Sequence, residues 1–241
     1  MLPSNFLPYP DSTTVYYRPY TFREIYTLNT SDLALAEEYK FVLGGIQTTN
    51  IEPSELTLGD FLFVSLHRKV ATLNTDNFQV AYIPSNHVSL GVQTHSFTFE
   101  DAEFNEIDAP ALPVIYTTTK GKELRFMPLT IGQMIELVEE FGEDIAEDTI
   151  KVLAKECTNL PFEEAEEIIG GSYGEDVHYF SKIDDILEHN VKNQEAEYTT
   201  PDGELARETI EIDAFGSLVL PFRGGAEYKR DAIQFGVQED S

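Results

Sequence analysis

Apolar residues recur along this chain with two different periods, and the points where the period changes mark out its elements. Thr13 to Arg18 is rich in β-branched and aromatic residues and predicts a strand ended by Pro19. Thr21 and Glu24 then stand at the spacing of a capping box, in which the hydroxyl and the carboxylate each satisfy an orphan amide, so a helix carrying Ile25 and Leu28 is expected. A second helix is expected from Ser31-Asp32, with Leu35, Tyr39, Val42 and Leu43 on one face and Gly44-Gly45 as its stop. A third, over residues 57–73, has Leu58, Leu62, Leu66 and Val70 in one row and apolar residues on other sides, which predicts burial on several faces. Asp60 near its start and Arg68-Lys69 near its end are explained by the helix dipole.

From Phe78 the pattern becomes that of antiparallel strands, over 78–83 and 88–99, followed by a hairpin of 113–118 and 123–127 about Lys120-Gly121. Pro128 to Leu137 matches Pro19 to Leu28 in chemical type, including a second capping box at Thr130 and Gln133. Two explanations fit: an internal duplication, near 13–44 and 122–157, or two uses of a common strand-proline-helix junction. Helices are expected at about 146–157, 161–170 and 181–190, the last opened by Ser181-x-x-Asp184. Strands at 195–199 and 204–212 flank the turn Pro201-Asp202-Gly203, and 217–220 supplies one more. The fold class is therefore α+β, helical lobes with antiparallel β hairpins. Its expected organisation is an N-terminal lobe over 1–110, a C-terminal lobe over 111–222 and a polar tail over 223–241.

Charge narrows the range of partners. Lys and Arg total 16 against 43 Asp and Glu, a formal net charge of −27, so a phosphate backbone meets repulsion and nucleic acid is a poor partner. Residues 139–188 alone hold 16 acidic and 3 basic side chains, a heavily solvated face that also suits the steering of a basic partner. No apolar run is long enough for a membrane span, the start lacks the basic region of a signal peptide, and Cys157 stands alone; a cytoplasmic chain is expected.

Catalytic, cofactor and metal motifs are not expected. Cys157 follows Glu156 in acidic surroundings that oppose thiolate formation. The histidines, His67, His87, His95, His178 and His189, have no zinc-hydrolase spacing, and Gly170 to Gly174 lacks the ending of a phosphate loop. With so many acids, a carboxylate pair placed for hydrolysis has no sequence signature, and an unrecognised carboxylate-dependent hydrolase stays as an alternative.

Leu2-Pro3-Ser4, Tyr9, Arg18-Pro19-x-Thr21-x-x-Glu24, Leu28, Leu58-x-Asp60 and Arg68, with Pro128-Leu129-Thr130 further on, resemble in order and spacing the T4-type bacteriophage baseplate proteins, a family that includes hub assembly proteins. The resemblance implies a non-enzymatic factor for building the tail baseplate hub, or a minor baseplate component, docking onto other tail and hub proteins in the host cytoplasm or the virion. A chaperone of the tape-measure protein is the alternative. Some members carry cysteine pairs in the β segments, whereas Ile83-Pro84-Ser85 and Thr200 to Gly203 have none here, so the hairpins are expected to be held by packing alone. Tyr16, Tyr17 and Arg18 are the expected partner-binding residues, since Tyr and Arg dominate protein interfaces; the alternative for Arg18 is an ion pair with Glu24 or a neighbouring acid.

Overall fold

The computed structural model describes residues 2–31, 33–73, 77–98, 100 and 102–210. In chain order the elements are β1 (Val15–Tyr17), α1 (Phe22–Thr30), α2 (Leu35–Leu43), β2 (Ile46–Thr48), α3 (Leu58–Leu73), β3 (Asn77–Tyr82), β4 (Gln93–Thr98), β5 (Val114–Thr117), β6 (Glu123–Phe126), α4 (Ile131–Phe141), α5 (Thr149–Glu156), α6 (Phe162–Gly170), α7 (Glu175–Leu187), β7 (Gln194–Thr199) and β8 (Leu205–Ile210), with short 3-10 turns between some of them. The strands form four two-stranded antiparallel sheets, β1-β2, β3-β4, β5-β6 and β7-β8, so the α+β class holds.

Packing divides the chain into two compact units. The first is Met1–Arg18, Leu33–Val64 and Asn105–Asn190; the second is Pro19–Asp32, Ser65–Phe104 and Val191–Ser241. Each unit is assembled from three separate stretches, a different kind of division from the expected boundary between 110 and 111. The expected strand at 217–220 and the tail at 223–241 lie outside the described residues.

In the first unit the β5-β6 hairpin delivers Leu124 and Phe126 to a core shared with Leu153 and Ala154 of α5, Ala165 and Ile169 of α6, and Phe180, Ile183 and Leu187 of α7. The Phe126 and Phe180 rings meet edge to face at 6.2 Å. Each buried Leu, Ile or Phe side chain of this core contributes about 2 kcal/mol relative to exposure. α7 begins at Glu175 after Gly174, six residues ahead of the expected Ser181 cap. The displaced start has a physical reason: the inward row is Asp176, Phe180, Ile183 and Leu187, and an acid at its head hides the helical period. Asp176 is admitted because Tyr116 Oη (2.5 Å) and the Thr119 amide (2.8 Å) and hydroxyl (2.7 Å) all donate to it.

In the second unit, β3-β4 and β7-β8 enclose a small core of Phe97, Ala196 and Ile210, joined by Leu66 of α3 and by Ala102 and Val191. Packing is not all that holds these hairpins. The Ser85 amide donates to both oxygens of Glu208 (2.9 and 3.1 Å), and His87 Nδ1 lies 3.1 Å from Tyr198 Oη with the two rings in edge contact. Polar staples thus add to packing, contrary to the expectation of packing alone. The expected strand at 88–99 is shorter, because Val88–Leu90 forms a 3-10 turn and the strand starts at Gln93.

Both capping boxes form, at Thr21 with Glu24 and at Thr130 with Gln133. The strands ahead of them pair differently: β1 pairs with β2, which follows two helices later, whereas β6 pairs with β5 immediately before it. The likeness is one of junction chemistry and does not extend to strand pairing. α2 starts at Leu35 from an Ala34 cap, not at Ser31-Asp32, and Gly44 closes it in the right-handed helical region with no left-handed turn.

Candidate functional site

Six of the residues that carry the resemblance fall into two hydrogen-bonded networks, Ser4, Tyr9 and Asp60 in the first unit and Thr21, Glu24 and Arg68 in the second. In the first unit the centre is Asp60, in the first turn of α3 and fully buried. Its Oδ1 accepts from the Ser4 amide (2.9 Å) and its Oδ2 from Tyr9 Oη (2.6 Å). Tyr9 Oη in turn accepts from the Thr57 amide at 2.8 Å, and Thr57 Oγ1 lies 2.6 Å from His189 Nε2. Nδ1 of His189 is 2.7 Å from the Leu187 carbonyl, which can only accept, so Nδ1 carries the proton and Nε2 accepts from the Thr57 hydroxyl. Burial lowers the His189 pKa, in keeping with a neutral ring, and burial beside Asp60 raises that of Tyr9 well above the usual phenol range.

Gly59 makes this arrangement feasible. A Cβ at that position would sit 2.3 Å from the His189 carbonyl oxygen and 2.5 Å from its ring. Ser4, Tyr9, Thr57, Asp60 and His189 are therefore parts of one lock that fastens the N-terminal segment to the start of α3. A hydroxyl, an imidazole and a carboxylate lie close together, the pieces of a nucleophilic site, but Thr57, Asp60 and His189 are all buried, the Asp60 carboxylate is taken by Ser4 and Tyr9, and the imidazole is taken by Thr57 and the Leu187 carbonyl.

In the second unit the centre is Arg68, whose side chain is wholly buried. Its Nη2 is 3.1 Å from Glu24 Oε1, and its guanidinium carbon stands 3.8 Å from the centroid of the Tyr20 ring. Glu24 Oε2 accepts from the Thr21 amide (2.7 Å) and hydroxyl (2.8 Å), so the capping acid of α1 is also the counterion of Arg68. Thr72 joins the two ends: its hydroxyl donates to the Arg68 carbonyl (2.6 Å) and accepts from the Tyr20 amide (2.8 Å). Asp60 and Arg68 thus have specific buried partners, where the helix dipole alone was expected to account for them. Their place in the resemblance pattern was the only sequence signal of that role.

Of the expected partner-binding residues, Tyr16, Tyr17 and Arg18 are all exposed. Tyr16 stands opposite Gln47 and Tyr17 opposite Ile46, so the two rings project to opposite faces of the β1-β2 ribbon, and the Arg18 amide donates to the Gly45 carbonyl at 3.2 Å. Phe22 and Tyr26, one turn apart on α1, are exposed as well; sequence reading passed over them because they share a helix with the inward Leu28.

The second junction holds an unusual acid. Glu156 at the end of α5 is buried; its Oε1 accepts from the Leu129 amide at 3.2 Å, and its Oε2 has no hydrogen-bond partner among the described residues. Burial, with Asp184 nearby, pushes its pKa up to about 8. The backbone carbonyl of Glu156 receives the Met127 amide (3.0 Å), and Cys157 bridges to Phe126, so this segment extends the β6 edge. Cys157 itself is buried within the core of the first unit. His95 stacks on Phe97, and His178 lies beside Tyr179.

No family model, curated protein or solved structure matches the chain. Among the described residues, no three His, Cys, Asp or Glu side chains group as metal ligands would, and no helix is long and apolar enough to cross a membrane.

Proposed function

We propose that this chain is a non-enzymatic assembly factor, or a minor component, of the baseplate hub of a contractile phage tail, acting by docking onto other tail proteins in the host cytoplasm. The observation that carries the reading is that six of the scattered residues of the resemblance fall into two locks, Ser4, Tyr9 and Asp60 in one and Thr21, Glu24 and Arg68 in the other. A pattern held by such interdependence marks a shared scaffold better than isolated identities do. Between these locked residues the chain leaves Tyr16, Tyr17, Phe22 and Tyr26 exposed, aromatic side chains of the kind that anchor protein interfaces. The net charge of −27 adds long-range attraction for basic partners and repels nucleic acid.

The test is capture of the tagged full chain during infection, with mass spectrometry of what accompanies it and quantification of the chain in purified virions. Hub proteins in the capture support the reading; retention in virions then selects a structural component, and loss selects a transient factor. Capture of the tape-measure protein alone assigns a tail chaperone instead. Turnover of a small molecule that disappears when one acid or histidine is replaced overturns the proposal in favour of a hydrolase.

A further inference from the structure

The β5-β6 hairpin has one closed edge and one open edge. Along β6 the segment after α5 takes up the outward backbone groups: the Thr158 amide donates to the Arg125 carbonyl (2.8 Å), the Arg125 amide to Asn159 Oδ1 (2.8 Å), and Asn159 Nδ2 to the Glu123 carbonyl (3.0 Å). Arg125 and Glu123 therefore turn their backbone away from β5. Ile115 and Thr117 stand opposite them in the register, so by the alternation of an antiparallel pair their amides and carbonyls point outward on the far side of the hairpin. Among the described residues nothing meets those groups. Proteins commonly blunt such an edge with charge, yet residues 109–119 carry none, and Ile115 is exposed.

One flank of α7 adjoins the open edge. The Asp108 amide donates to the Ile186 carbonyl (3.1 Å) near the end of that helix, and Thr119 is held by Asp176 near its start, so residues 108–119 and α7 run antiparallel. The Phe180 ring meets both Phe126 and Tyr116, whereas the Tyr179 ring, which is exposed, stacks on Tyr116 at 5.0 Å. The row of rings thus runs from β6 to β5 and on to the helix flank. Glu175, Tyr179 and Lys182 stand on that flank at i, i+4 and i+7, and all three are exposed. Neither Glu175 nor Lys182 has an ion-pair partner among the described residues, and Lys182 Nζ lies 5.6 Å from the centroid of the Tyr179 ring.

Both features are self-complementary, and about neighbouring centres. A strand edge that offers the same groups at 115 and 117 pairs antiparallel with a copy of itself about Tyr116, setting Ile115 beside Thr117 of the second copy. A helix flank that reads acid, aromatic, base packs antiparallel on a copy of itself about Tyr179, setting each Glu175 against Lys182 of the other copy. Tyr116 and Tyr179 are in contact, so one two-fold axis serves both. The dimensions agree: with Phe180 under both strands, α7 lies about one strand spacing from that axis, and two copies of it stand about 10 Å apart, a normal helix packing distance. At physiological salt the Debye length of about 8 Å screens the charge on the rest of each copy, so the groups in contact decide. We propose that the β5 edge and the Glu175-Tyr179-Lys182 flank of α7 form a two-fold interface through which the chain pairs with a second copy of itself. This goes beyond the docking function proposed above and stands without it.

The experiment follows the full chain by sedimentation equilibrium from about 1 to 100 μM at about 0.15 M salt. The expected result is a concentration-dependent dimer. Thr117→Pro removes an amide that no ladder bond of the hairpin uses, and should weaken the dimer about tenfold or more with the circular dichroism spectrum unchanged. Ile115→Lys, which places a charge on the same edge, should do likewise and serves if the proline variant fails to fold. Glu175→Lys and Lys182→Glu should each weaken the dimer alone, and the two together should restore it. Within one chain these residues are about two helical turns apart, so restoration reports the contact between copies. Phe22→Ser, at an exposed site on α1, should leave the dimer intact. A chain that stays monomeric up to about 100 μM overturns the proposal. So does a dimer that persists in the folded edge variants, or one that the double exchange fails to restore.

Discussion

The two proline-led junctions share one local code and use it for different ends. At Pro19 the chain leaves the first unit for the second, and the acid of the capping box, Glu24, doubles as the partner of a buried arginine. At Pro128 the junction lies within the first unit, the third helical residue is the neutral Gln133, and the nearby buried acid, Glu156, is held by burial and Asp184 in its protonated form. The amide of Gln133 also reaches the Lys155 carbonyl, next to that acid. A glutamate at 133 would bring a negative charge close to that buried acid, while a glutamine at 24 would remove the charge that Glu24 sets against Arg68. The choice between Glu and Gln, equivalent for capping, is therefore made by the tertiary neighbours.

Breaking the first junction should have the largest effect. Arg68→Ala removes the cation from beneath Tyr20 and beside Glu24 and should cost about 3 kcal/mol or more in urea unfolding, with Glu24→Gln milder and the double variant less than additive. Additivity would show that the pair is not coupled.

Glu156→Gln should act with the opposite sign and depend on pH. The folded carboxyl titrates near 8 against 4.5 for an ordinary glutamic acid, so its contribution is intact below about 4.5, falls as pH rises, and levels off above about 8. The slope in that window is at most about 1.4 kcal/mol per pH unit. The glutamine variant should match the wild type near pH 5 and exceed its stability near pH 8; parallel pH profiles would show that Glu156 ionises freely.

The smallest effect is expected at the caps. Thr21→Ala and Thr130→Ala should each cost about 1 kcal/mol, with Thr21→Ala the larger because its hydroxyl also donates to the carboxylate that holds Arg68. Equal losses would reduce the two junctions to the same local device.

Much of the architecture was legible because it follows from short-range chemistry: the capping boxes, the Lys120-Gly121 hairpin and the Pro201-Asp202-Gly203 turn all lie within a few residues of their partners. What escaped was set at long range. Asp176 looks like a surface acid until Tyr116 and Thr119 are brought to it from β5 and the turn that follows. Ser4 meets Asp60 across 56 positions and Thr57 meets His189 across 132, so no local window shows either contact. Tyr16 and Tyr17 were readable as exposed aromatics, but their divergence to opposite faces follows only from the pairing of β1 with β2.

Gly59 fixes how much this lock can vary. The helix start and the segment ending in His189 touch backbone to backbone because one residue has hydrogen where every other amino acid has carbon. That position lies in the first turn of α3, where glycine weakens a helix by about 1 kcal/mol relative to alanine. The ordinary remedy, Gly59→Ala, would act as a wedge here, prising Thr57 from its imidazole and loosening the N-terminal segment by way of a residue that makes no polar side-chain contact of its own.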